Sequence, residues 1–141
     1  MKTLDVLVRV KRQELDSKRH AKTVLENQAS QLEIVIDNLR KSLYAEHQLV
    51  DSNPEFAPFY GGFAARNTKL QHDVKEELDK ITIRIEQLAE EIFEAFVELK
   101  KFELLYKEQQ QRENKELENK EEAALNELTV NRYNYKEQHN E

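Results

Sequence analysis

EEIFEAFVELKKFELLYK, Glu90–Lys107, carries more apolar side chains than one helix pairing consumes. Ile92, Ala95, Leu99, Phe102 and Tyr106 recur at alternating spacings of three and four, the mark of a coiled-coil seam. Traced backwards, the same alternation runs through Val74, Leu78, Ile81, Ile85 and Leu88 without interruption. With Leu78, Ile85, Ile92 and Leu99 at heptad position a, Phe96 and Leu105 fall on the flanks of the seam at e and g. Phe93 falls at b, and Ile83, Val97 and Leu104 at f, turned away from any single partner helix.

A partner for this seam lies earlier in the chain. Fourteen heptad positions can be laid from Leu4 to Val50, and ten of them are apolar. The exceptions are Lys11, Lys18, Lys22 and Glu46. Between the two patterns stands DSNPEFAPFYGG, Asp51–Gly62, which holds all of the chain's prolines and glycines. Pro54 and Pro58 disfavour helix in the residues before them, and Gly61-Gly62 permits positive φ, so the chain is expected to reverse here. The expectation is an all-α, two-helix antiparallel coiled-coil hairpin forming one domain over 1–141. Its parts are a helix over 3–51, a joint over 52–62, a longer helix over 63–136 and a frayed tail over 137–141.

At 1.5 Å per residue the first helix would measure roughly 70 Å and the second roughly 110 Å. Folded about the joint, Leu4 meets residues near 110, so the end of the second helix overhangs. The seam disappears at the same place: beyond Tyr106 the frame lands on Gln109, Glu113, Glu116 and Lys120, and Leu117, Ala124 and Leu128 return in a new frame. An overhang of this composition is marginally helical in water and is expected to fray or await a partner.

Composition limits function. The 141 residues are 35% charged with no cysteine, which excludes disulfides and thiolate metal sites. No run approaches the roughly 18–20 apolar residues of a membrane span, and MKTLDVLVRVKRQ lacks a secretory signal, so a cytoplasmic location is expected. The net charge of −6 disfavours nucleic-acid binding. Seven Lys or Arg against three acids in residues 1–25 nevertheless make the N-terminal helix basic. No Gly-rich phosphate loop occurs and the four serines have no histidine in a nucleophile arrangement, so no enzyme, no cofactor and no metal site are expected. His72 with Glu76, and His47 near the joint, read as solvated side chains rather than ligands.

Phe96 and Leu105 are expected to cover the stems of Lys11, Lys18 and Lys22 while the ammonium groups reach Glu98 or Glu103. The aromatics of the joint, Phe56, Phe59, Tyr60 and Phe63, are expected to cap the seam. Phe93, Val97 and Leu104, around Lys100 and Lys101, are more apolar surface than scattered exposure gives, and form a candidate partner-binding face.

Three segments in order, LDVLVRVKRQELDSKR, EAFVELKKFE and NKEEAALNELTVNRY, resemble the FliJ family, the small stalk and chaperone proteins of the flagellar type III export apparatus. The resemblance covers nearly the whole chain. It implies an antiparallel coiled coil similar to the central stalk of rotary ATPases, binding and stimulating a hexameric export ATPase. It further implies contact with the cytoplasmic domain of the export gate and with export chaperones, and a peripheral association with the inner membrane through the gate. The end from Leu4 to Lys22 and from Gln109 to Tyr135 would then enter the ATPase ring, making Arg9, Arg12, Arg19, Leu117 and Leu128 candidate contacts. The family assigns no catalytic residue. The rival expectation is a structural coiled coil that self-associates through Phe93.

Overall fold

The computed structural model describes residues 2–139, and side chains from Thr3 to His139. Two helices, α1 (Lys2–Ser52) and α2 (Ala57–His139), flank one 3-10 turn at Pro54–Phe56, with no strand among the described residues. The fold is an all-α antiparallel coiled-coil hairpin whose second helix, at 83 residues, exceeds the 51 of the first. α1 contains neither glycine nor proline and stops where Pro54 forces its predecessor out of the helical region. Asn53 accordingly sits at φ −137°, ψ 82°. Its backbone N–H still donates to the Leu49 carbonyl at 2.9 Å, closing α1, while its own carbonyl accepts from the Phe56 N–H at 3.1 Å.

The joint is therefore much shorter than the expected 52–62. Pro58 lies inside the first turn of α2, where a missing N–H removes no helical bond. Gly61 and Gly62 are helical, and no glycine has positive φ. The reversal is made by Asn53 and the turn after it, not by the glycine pair. At the other end α2 remains helical through residues 137–139, expected as a frayed tail; 140 and 141 lie outside the described residues.

The chain divides into two compact units. The first, Gln13–Phe96, holds the reversal and an arm of each helix. Within it every seam position expected on α1, from Leu15 to Val50, is buried or half-buried, and every other residue from Gln13 to Ser52 is exposed. The two lysines and the glutamate in this set follow the phase as faithfully as the leucines. On α2 the expected positions Val74 to Ala95 are covered too, with Leu88 and Ala95 fully buried. The covered line also runs back towards the joint through Gln71, Asn67, Ala64 and Tyr60, where no apolar pattern announces it.

The second unit comprises Met1–Arg12 and Val97–Glu141. Val8 and Leu99 are buried, and Leu4, Lys11, Phe102 and Tyr106 are half-buried. Gln109 is the last covered residue of α2, and every described residue after it is exposed. The pairing thus ends where both the length mismatch and the lost periodicity put it.

Candidate partner-binding surfaces

Past Gln109, α2 continues as a helix in which every described residue is exposed. Glu108 pairs with Arg112 at 3.8 Å, the Thr129 hydroxyl donates to the Leu125 carbonyl at 2.9 Å, and the Tyr135 and His139 rings stack at 4.0 Å. Leu117, Leu128 and Tyr135 are well exposed, and with Ala124 they are spaced seven, four and seven residues apart. That spacing places them on one strip of the helix, a coiled-coil seam with nothing laid against it.

In the same unit, α1 and α2 are joined by charge as well as by apolar contact. Lys11 Nζ reaches Glu98 at 3.0 Å with its stem mostly covered, as a seam lysine does when only its head is left in water. Arg12 Nη2 donates to Glu103 Oε1 at 3.2 Å, and Lys100 Nζ donates to Glu103 Oε2 at 3.0 Å. The two hydrogen bonds, first that from Lys100 and then that from Arg12, hold the Glu103 carboxyl below its ordinary pKa. Arg9 pairs with Asp5 on its own helix at 3.0 Å. Arg9 and Arg12 thus have partners within the chain, although both side chains stay largely open to water.

In the unit Gln13–Phe96, Lys18 reaches Glu91 at 3.8 Å, and Lys22 turns to Glu26 on its own helix at 3.5 Å. The expected pairing of the seam lysines with Glu98 or Glu103 therefore holds for Lys11 alone. Arg12 takes Glu103, and Lys18 meets the acid two turns earlier on α2. Arg19 is exposed, and its backbone carbonyl accepts from the Thr23 hydroxyl at 3.1 Å.

The heptad wheel separates the surplus apolar residues by exposure. Phe96 and Leu105, at flanking positions, retain 40% and 41% of their surface, whereas the outward Phe93 and Leu104 retain 68% and 62%. Val97 is exposed as well. Val97, Lys100 and Leu104 belong to the unit with the uncovered end, and Phe93 belongs to the other. The joint aromatics divide rather than forming one cap: Tyr60 and Phe63 are half-buried, while Phe56 and Phe59 face water. The physical reason is the early start of α2, since a helix presents only one side of these residues to the seam.

His47 Nε2 lies 3.6 Å from Asp51, and His72 Nε2 lies 3.0 Å from Glu76, each pair four residues apart on its own helix. Among the described residues no group of three or more His, Cys, Asp or Glu is placed to hold a metal ion. No helix among them is long and apolar enough to cross a membrane.

One feature escaped the apolar pattern. Asn67, the only buried polar residue among those described, retains 6% of its surface. Its amide donates across the seam to the Leu39 carbonyl at 3.0 Å, and its oxygen accepts from the Gln71 amide. Both ends of the buried amide are satisfied, which removes the cost of placing it in an apolar line. Asn67 lies one heptad before Val74 in the seam frame, with Gln71 between them, because phase persists where hydrophobicity does not.

No protein-family model matches this sequence, and comparison with curated proteins and with solved structures finds no similar chain.

Proposed function

We propose that the chain is a non-enzymatic stalk and adaptor of flagellar protein export, binding and stimulating the export ATPase hexamer and contacting the export gate and export chaperones. The observation that carries the reading is the continuation of α2 as an exposed helix from residue 110 to His139, bearing the strip Leu117, Ala124, Leu128 and Tyr135. A helix anchored at one end in a paired coiled coil and bare at the other suits a rod that enters a ring of subunits. The identity of the ring comes from the three segments that resemble the FliJ family. Its action would be allosteric, the helix end favouring one arrangement of subunit contacts over another by differential binding. Val97, Lys100 and Leu104 would supply the second contact, to gate or chaperone. On this reading the protein works in the cytoplasm and meets the inner membrane only through the gate.

The test is capture of the purified export ATPase by the full chain and by a chain truncated after Gln111, each at low and high salt, with ATP turnover measured alongside. The full chain should bind and stimulate. The truncated one should melt like the parent yet give no stimulation, and retained stimulation would refute the role of the uncovered end. Loss of capture at high salt would assign the contact to charge rather than to the apolar strip. The self-associating alternative rests on the exposure of Phe93. Light scattering decides it, since a monomer at micromolar concentration is incompatible with obligate assembly.

A further inference from the structure

The first turns of α2 are built from residues that resist the conformation they adopt. Ala57 is helical at φ −54°, ψ −39°, although it precedes Pro58, whose ring disfavours that region for its predecessor. Gly61 and Gly62 follow inside the helix. Neither takes a positive φ. Nor does close packing require them: a side chain at Gly61 would meet nothing within 4 Å, and one at Gly62 would meet only the flexible end of Arg66, at 3.3 Å. Each nevertheless disfavours helix by a factor of about five relative to alanine. Little burial compensates, since Phe56 and Phe59 are exposed and Tyr60 is only half-buried.

Immediately beyond this weak segment the seam is fastened. Asn67 is buried and holds the Leu39 carbonyl across the hairpin, with Gln71 completing the network one turn later. A buried amide satisfied in one arrangement only is a recognised way of fixing how two helices align. Weakness before residue 63 and fastening at 67 lie next to each other in sequence.

We propose that Ala57–Gly62 is a helix-to-loop switch at the tip of the hairpin. This segment unwinds and reforms while Asn67 keeps the rest of the seam in place. When helical, as in this structure, the tip is short and holds Tyr60 against the hairpin; the Tyr60 and His47 rings are 5.6 Å apart. When unwound, it becomes an extended loop carrying Phe56, Phe59 and Tyr60, with Pro54 and Pro58 at positions that favour extended backbone before them. This device is independent of what the other end of α2 binds.

Hydrogen exchange on the full chain, resolved to single amides, tests it. Unwinding through Gly62 breaks the bonds that the N–H groups of residues 61–66 make to the carbonyls of 57–62 and leaves that of Asn67 intact. Exchange at Gly61–Arg66 should be at least about tenfold faster than at Leu70–Leu78, with the step falling between Arg66 and Asn67. The double variant Gly61→Ala/Gly62→Ala should slow exchange at 61–66 by roughly 25-fold and leave Leu70–Leu88 unchanged. Asn67→Ala should carry the fast segment past residue 67. Amides at 61–66 as slow as those at 70–78, or an alanine pair without effect on them, would overturn the switch. A step that stays at Asn67 in the Asn67→Ala protein would overturn the fastening.

Discussion

Replacing Leu88 by alanine tests the seam at its most deeply covered point on α2. Leu88 retains only 3% of its surface. The substitution removes three carbon atoms, worth about 2.4 kcal/mol at ~0.8 kcal/mol per buried CH₂. Leu→Ala in closed cores costs roughly 2–5 kcal/mol because a cavity remains. A seam between two helices is open to water on both flanks, so the hole can collapse or hydrate, and the cost should lie near the low end, about 2–3 kcal/mol. Ile83→Ala is the matched control five residues earlier on the same helix and in the same compact unit. Ile83 faces water, and alanine is the better helix former, so its effect should stay within about 0.5 kcal/mol. Thermal melting followed by circular dichroism at 222 nm should show a loss of roughly 10 °C for Leu88→Ala and no more than about 2 °C for Ile83→Ala. Equal shifts for the two would mean that the wheel has the wrong side of α2 against α1, and the account of the seam would fail with it.

Val97→Asp should leave melting nearly unchanged yet weaken partner capture, whereas Leu88→Asp should collapse the fold by burying an unpaired charge; similar melting of the two proteins would place Val97 in the core. Because Lys100 and Arg12 lower the Glu103 pKa, the stabilisation from that carboxylate is fully present above the ordinary glutamate range and is lost as pH falls through the depressed value. Glu103→Gln should therefore flatten the acid limb of the stability profile, and an unaltered limb would show the clamp to be idle. Asn67→Asp leaves no proton for the Leu39 carbonyl at neutral pH and should cost about 2–3 kcal/mol. Its buried carboxyl should titrate at a raised pKa, so stability should recover as pH falls through that value; a penalty independent of pH would deny the contact.

The seam was legible because the helical period carries across positions that are not themselves apolar. Lys11, Lys18, Lys22 and Glu46 were placed in it by phase alone, and each is half-buried. The end of pairing was legible for the same reason, since the apolar frame stops at Tyr106 and Gln109, its next position, is the last one covered. The joint was not. Proline and glycine lower helix propensity wherever they stand, but a proline in a first turn and glycines against open space are tolerated once the helix beyond them is tied down. Nor did the sequence reveal which acid each lysine would choose. Glu91, Glu98 and Glu103 all lie near the facing helix, and the choice depends on side-chain rotamers that repeat no period.

The lysines in the α1 seam answer a problem that the α2 sequence creates. Ten consecutive apolar or aromatic seam positions on α2, from Val74 to Tyr106, would pair with a second copy of α2 at least as strongly as with α1 if apolar contact alone decided. The acids beside that line change the comparison. Glu98 receives Lys11 at 3.0 Å, and Glu91, which Arg84 on its own helix holds at 3.2 Å, is approached by Lys18 at 3.8 Å, so α1 sets cations beside acids that flank the apolar line of α2. Exposed ion pairs of this kind add little stability, typically below about 1 kcal/mol each. Their larger effect is on discrimination, because a wrong pairing loses the attraction that Lys11 and Lys18 supply. Two of the four positions where α1 departs from the ideal seam, Lys11 and Lys18, thus make α1, rather than another α2, the better partner, while Lys22 turns to Glu26 of its own helix.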